Sequence, residues 1–200
     1  ALPICIGNWN LWTWLNNLIP LATPEHKEQF KQDLATCLEQ FEPIFLHHYG
    51  QGLCEKMGLP HFHKDSLDCS FAFLRILQAE QLDYTQSFIR LQNKEYKTLL
   101  DDCLDLRQFD AFLHQYQEIR KTQDTDELDR VMQSANPHYI LRNHMAQKAI
   151  EQAERGDFSE VDRLFKLLNQ PYQKQPELET EQDTAPLPSD VPEVMVSCSS

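Results

Sequence analysis

Along the first 169 positions apolar residues recur at three- and four-residue steps, and no run alternates apolar with polar. That period places the apolar residues on one side of a helix, so the pattern predicts helices and no strands. Trp9, Trp12 and Leu15 share one side of a first helix over 8–18, which Pro20 and Pro24 close. The density of tryptophan there fits a helix buried in its own core; a docking face for a partner or for the rest of a longer chain is the other reading. Thr23-Pro24-Glu25 opens the next helix with a hydroxyl cap and proline at the first helical position. Its stripe of Phe30, Leu34, Cys37, Leu38 and Phe41 continues through Phe45, Leu46 and Tyr49, and Pro43 is expected to kink or split it. Gly50-Gln51-Gly52 reads as punctuation, followed by a short helix to Gly58 and Pro60.

Asp65 or Ser66 can cap a helix with Leu67, Phe71, Leu74 and Leu77 inward, and Asp83 can cap another carrying Phe88 and Leu91. Further helices are predicted over 96–104, 109–119 and 126–132. Asn136-Pro137, a side-chain oxygen followed by proline, predicts the start of a helix through Ile140, Leu141, Met145, Ala149 and Ile150. Gly156 ends it, and Asp157 or Ser159 begins a last helix with Val161, Leu164, Phe165 and Leu168 inward, so the two form an antiparallel hairpin. After Asn169 the pattern stops. Five prolines from Pro171 to Pro192, interspersed with Glu and Asp, predict an extended or disordered stretch. The expected organisation is an irregular all-α domain over 1–169 and an acidic, proline-rich tail over 170–200 that ends in Cys-Ser-Ser.

Composition narrows the functional classes. The length of 200 residues and 41% hydrophobic content suit one core. A net charge of −13 opposes capture of nucleic acid or anionic lipid. No apolar run approaches the roughly 18 to 20 residues needed to cross a bilayer. The six cysteines form no Cys-x-x-Cys pair and are irregularly spaced, which fits mostly buried thiols in a reducing compartment, the bacterial cytoplasm. The first residues carry neither an initiator Met nor a basic segment before an apolar one, and read as the middle of something longer.

Candidate chemistry is sparse. His47, His48, Cys54, His61 and His63 fall in one short stretch, but the spacing resembles no standard zinc site and ordinary histidines are the plainer reading. Gly50-x-Gly52 with Gly58 lacks the preceding strand and following Lys-Ser/Thr of a phosphate loop, and reads as a turn. The acidic pairs Asp101-Asp102 and Asp124 with Asp126 read as solvated helix starts. Cys198 differs from the other five cysteines, which lie on apolar helical faces. It sits in a polar end where a thiol is free to attack or be oxidised, although no neighbouring cation lowers its pKa.

Three separated stretches together resemble the C-terminal region of the selenoprotein O family. They are Trp9-Asn10-Leu11; Asn136-Pro137-His138-Tyr139-Ile140-Leu141-Arg142-Asn143 running through Ala146-Gln147-Lys148-Ala149-Ile150 to Glu154-Arg155-Gly156-Asp157; and Val196-Ser197-Cys198-Ser199-Ser200. The resemblance implies the C-terminal helical part of a protein-kinase-like (pseudokinase) fold. Such an enzyme transfers AMP from ATP, with Mg or Mn, to Ser, Thr or Tyr hydroxyls of protein substrates. It also implies that the residues gripping nucleotide and metal lie upstream, so no catalytic, cofactor-binding or metal-binding residue maps onto this chain. Cys198 matches the position that carries selenocysteine in some members, and a regulatory disulfide with an upstream cysteine is the role this implies. The chain's expected partner is then an upstream kinase-like catalytic region, without which its apolar faces are uncovered and aggregation-prone. A stand-alone helical interaction module is the alternative, and a free-standing thiol oxidoreductase a weaker one.

Overall fold

The computed structural model describes residues 2–60, 63–121 and 123–185. All regular structure among them is helical, and no strand occurs. In chain order the α-helices are α1 (Leu2–Leu18), α2 (Lys27–Glu39), α3 (Phe41–Met57), α4 (Lys64–Ala79), α5 (Tyr84–Gln92), α6 (Tyr96–Asp101), α7 (Leu106–Lys121), α8 (Thr125–Ala135), α9 (Asn143–Glu154), α10 (Ser159–Asn169) and α11 (Glu181–Thr184), with a 3-10 turn at Ile19–Leu21. The all-α expectation is met. No described helix is long and apolar enough to cross a membrane. The chain divides into two compact units between Gly52 and Leu53.

In the first unit α1 lies beside α2 and encloses with it a groove of about 290 Å³ lined by Trp12, Leu15, Ile19, Leu34, Ala35 and Leu38. Leu15 is the one described hydrophobic residue of this unit that is buried. The three tryptophans are 63%, 52% and 59% exposed at Trp9, Trp12 and Trp14. Burial in a core of their own is therefore corrected: α1 carries large apolar side chains on too many sides for α2 and the Phe41 ring of α3 to cover. Thr23 does not cap α2, because its hydroxyl meets His26 Nδ1 at 2.9 Å and the helix begins only at Lys27. Pro43 does split the long stripe. It falls in the first turn of α3, where a missing amide donor costs nothing. Gly50 and Gly52, expected as punctuation, lie inside α3, which continues to Met57.

The second unit is built on α4 against α7. Phe73 stacks on Phe112 at 4.9 Å and meets Phe88 edge-on at 5.2 Å, and Leu53, Met57, Ile76, Leu91, Leu99 and Phe109 close around them. The buried face of α4 is Ser66, Cys69, Ser70, Phe73, Ile76 and Leu77 rather than the expected stripe through Phe71, which is exposed. On that face Cys69 and Ser70 lie near Cys54 of α3. Neither Asp65 nor Ser66 caps α4; its cap position is His63. Asp83 does cap α5 by accepting from the Gln86 amide at 2.8 Å, and Asp124 caps α8. Asp101 and Asp102 stand at the end of α6, not at a start, and Asp102 pairs with Arg90.

The α9–α10 hairpin forms as expected around Tyr139, Met145, Ala149, Leu164 and Leu167, but Val161 and Phe165 face outward. Four helices end through one left-handed residue. At Gly58 (φ 57°) the amides of Gly58 and Leu59 donate to Glu55 O and Cys54 O, and Gly156 (φ 85°) repeats the arrangement. Gln81 (φ 54°) and Lys94 (φ 61°) do the same without glycine's freedom. Past Asn169 the chain is not extended throughout, as composition suggested. It turns at Pro171, reaches α11 through a Thr180–Asp183 capping box, and lies along the hairpin to Ala185.

Candidate functional site

The stretch Asn136 to Arg142, read from sequence as a helix start, is instead the helix-free connector between α8 and α9. Its side chains explain why. Asn136 is buried and donates from Nδ2 to Lys56 O at 2.7 Å, 80 positions away in sequence, while its Oδ1 accepts from Lys56 Nζ at 3.4 Å rather than from amides of its own segment. Lys56 answers by donating from Nζ to Ala135 O at 2.9 Å. The ammonium lies 5.8 and 5.6 Å from the ring centres of Tyr84 and Phe88, and burial lowers its pKa. Around it is a cleft of about 130 Å³ lined also by Asn136, Pro137 and Ile140.

Tyr139 is buried, and its hydroxyl donates to the Glu179 carboxylate while accepting from the Gln175 amide at 2.8 Å. Burial, and then the bond to Glu179, pushes the phenol up to about 12. The amides of His138 and Tyr139 both donate to Pro171 O, at 2.7 and 3.3 Å. Arg142 donates in parallel from Nη1 and Nη2 to Asp83 at 2.7 and 3.1 Å, gripping the carboxylate that caps α5. Burial alone would raise the Asp83 pKa, but Arg142 and the amides of Gln86 and Thr85 outweigh it and hold the carboxyl below its ordinary range. Asn136, Tyr139 and Arg142 thus tie one connector to the end of α3, to residues 171–179 and to the start of α5. Apart from Arg142 Nε, which meets no partner, these side-chain groups are spent on internal partners, and the connector acts as a clasp.

A second cleft, of about 240 Å³, opens beside the connector between α5 and residues 174–184, with Arg90, Glu95, His138, Lys174 and Glu179 on its walls. Burial, and then the Lys174 charge, lowers the His138 pKa; Glu179 opposes that in part.

The remaining sequence candidates do not converge. Cys198 and His61 lie outside the described residues. His47 and His48 meet ring to ring at 5.3 Å on α3. Cys54 is buried, and burial pushes its thiol up, disfavouring the thiolate a metal would need. Among the described residues no three His, Cys, Asp or Glu side chains are grouped to hold a metal ion. Cys69 and Cys103 are buried like Cys54, whereas Cys5 and Cys37 are exposed, a correction to the expectation of five cysteines on covered faces. Sequence reasoning missed the Tyr139–Glu179 and Arg142–Asp83 pairs; the one signal for them was that these residues fell within the stretch that carried the family resemblance.

The model of the family described as protein adenylyltransferase SelO matches residues 3–169. A protein nucleotidyltransferase YdiU of Pectobacterium atrosepticum is 35% identical over 202 residues, covering 98% of this chain and 40% of the relative. Those of Pseudomonas fluorescens and Methylococcus capsulatus are 34% and 32% identical, over 90% and 98% of the chain and 37% and 40% of their own lengths. The chain therefore spans about 40% of the length of the curated relatives it matches. Matched by the family model over most of its length, it belongs to the protein adenylyltransferase SelO family.

Proposed function

We propose that this chain is the C-terminal helical part of a SelO-type protein adenylyltransferase, packing against and supporting a kinase-like catalytic region that lies upstream in the intact enzyme. That enzyme moves AMP from ATP, held with Mg or Mn, to Ser, Thr or Tyr hydroxyls of protein substrates in the bacterial cytoplasm. Cys198 serves it as a redox residue. The observation that carries the reading is coverage: a chain matched almost end to end accounts for only 40% of a nucleotidyltransferase. The first unit adds physical support. Three largely exposed tryptophans stand on a helix in which, among the described residues, Leu15 alone is buried. Covering about 100 Å² more of each ring would contribute about 2 to 3 kcal/mol per residue, enough to make α1 an interface within a longer protein. The residues described here do not fit a nucleotide and metal site, since the donors that composition offered are scattered or buried, so no step of the transfer is derived through them.

Labelled ATP with Mg or Mn and a lysate tests the assignment. The chain alone should transfer no label and the intact enzyme should; transfer by the chain alone refutes the placement of the catalytic region upstream. In the intact enzyme, Cys198→Ser should leave transfer under reducing conditions unchanged and abolish its response to oxidant. A response that survives the substitution removes Cys198 from regulation. A monodisperse, cooperatively melting chain would favour the self-contained interaction module instead.

A further inference from the structure

Residues 170–185 bring little apolar surface to the fold. Leu178 is half-buried on the hairpin cluster, Tyr172 is exposed, and α11 is a single turn, far too short to hold itself as a helix. Yet the segment is fastened by polar contacts: Pro171 O accepts from the His138 and Tyr139 amides, Gln175 Nε2 donates to Leu167 O at 2.8 Å, and two side chains hold the rest. The first is the Tyr139 hydroxyl, which holds Gln175 and Glu179. The second is Arg163 on α10, whose guanidinium has five N–H donors and uses every one. Nε donates to Glu160 Oε2 at 2.9 Å, and Nη2 to Glu160 Oε1 at 3.0 Å and Asp183 Oδ1 at 2.9 Å. Nη1 donates to Asp183 Oδ2 at 2.7 Å and to Leu178 O at 2.8 Å. Asp183 Oδ2 also accepts from the Thr180 amide at 2.6 Å and hydroxyl at 3.1 Å. Asp183 is 2% exposed. Burial alone would raise its pKa, but Arg163 and Thr180 outweigh this and keep it a carboxylate.

An element held by charge-assisted hydrogen bonds converging on one side chain, with little buried area behind them, opens at a lower free energy than the aromatic core beneath it. The same segment supplies Lys174, Glu179 and Thr184 to the polar cleft that α5 lines with Gln86, Arg90 and Asn93. We propose that residues 174–185 are a strap that Arg163 locks closed over this cleft, and that the strap opens as a unit of its own while the helical core stays folded. Opening uncovers Arg90 and His138, which are half-buried, beside the already exposed Glu95.

Amide hydrogen exchange on the full chain, compared with Arg163→Met and with the isosteric Asp183→Asn, tests this. In both variants the amides of Leu178, Thr180 and Ala185 should exchange at least about tenfold faster, while those of Phe73 and Phe112 in the core keep their rates. In the same samples His138, which faces Arg90, Glu95, Lys174 and Glu179, should titrate closer to an ordinary histidine by NMR, because an open strap takes Lys174 away and restores water. Strap amides that keep their rates in Asp183→Asn overturn the lock. Core amides that accelerate in step with the strap overturn its independence. Should Arg163→Met fail to fold, Asp183→Asn decides the matter by itself, since it preserves the side chain's shape.

Discussion

Gly58→Ala is the substitution whose cost is most fully specified by this structure. Gly58 closes α3 at φ 57°, where a side chain costs roughly 1 to 2 kcal/mol, less about 0.5 to 1 recovered because alanine restricts the unfolded chain. A Cβ built there would lie 2.3 Å from Arg120 Nη1, 3.0 Å from Leu128 O and 3.3 Å from Met132 Sδ. The guanidinium cannot simply swing aside. It is buried, donating to Gly58 O at 2.8 Å, Met57 O at 3.3 Å and the Tyr116 hydroxyl at 3.2 Å, and it pairs with Asp129. Displacing it forfeits about two charge-assisted hydrogen bonds at roughly 1.5 kcal/mol each, so the total loss is about 4 kcal/mol. Gly156→Ala is the control: φ is 85°, but no atom lies within 4 Å of the added methyl, so only about 1 kcal/mol of conformational strain remains. Urea unfolding followed by far-ultraviolet circular dichroism measures both. Equal losses at the two glycines would refute the claim that Arg120 fills the space beside Gly58.

Gln81→Gly should stabilise the chain by about 1 kcal/mol in the same urea assay, because Gln81 terminates α4 at φ 54°, where glycine alone is free of strain, and the cap bond is made by the Leu82 amide to Leu77 O. Asp83→Asn should flatten the acid limb of stability. The folded carboxyl is held below its unfolded value, so its contribution is present in full above an unfolded pKa of about 3.9 and is lost as pH falls through the lower folded one. Thermal melts from neutral pH down to about 2 should therefore converge between the two proteins at the acid end and separate above about pH 4. Replacing Trp9, Trp12 and Trp14 together by Gln should raise the concentration at which the chain remains monodisperse in light scattering and leave hydrogen exchange at Phe73 and Phe112 unchanged.

Helix content and the two capping aspartates were legible because their causes are local. A 3.6-residue period and an Asp three residues ahead of an amide act within one turn. What escaped notice depended on partners distant in sequence. Two glycines in α3 each disfavour helix by about 1 kcal/mol, a deficit that the packing of Leu53, Cys54 and Met57 outweighs. The inward face of α4 is not read from periodicity because Cys69 and Ser70 register as nearly neutral in any hydrophobic pattern, although both are buried near Cys54 of α3.

The clasp and the strap were hidden for a sharper reason. Asn136 can offer Oδ1 to the amides of a helix that would start beside it or turn Oδ1 and Nδ2 to Lys56, and only the folded chain decides between them. Composition likewise reads Asp183 as a charge that opposes burial, which holds for a carboxylate alone and fails once one guanidinium with five donors lies within reach. Both cases follow one rule: a polar residue is buried where a distant partner completes its hydrogen bonds, and a periodicity search cannot see that partner. Tyr139 and Arg142 obey it too, through Glu179 and Asp83. One of the stretches that carry the family resemblance in the sequence is therefore one whose conformation its own residues do not dictate, because its side chains serve three other parts of the fold.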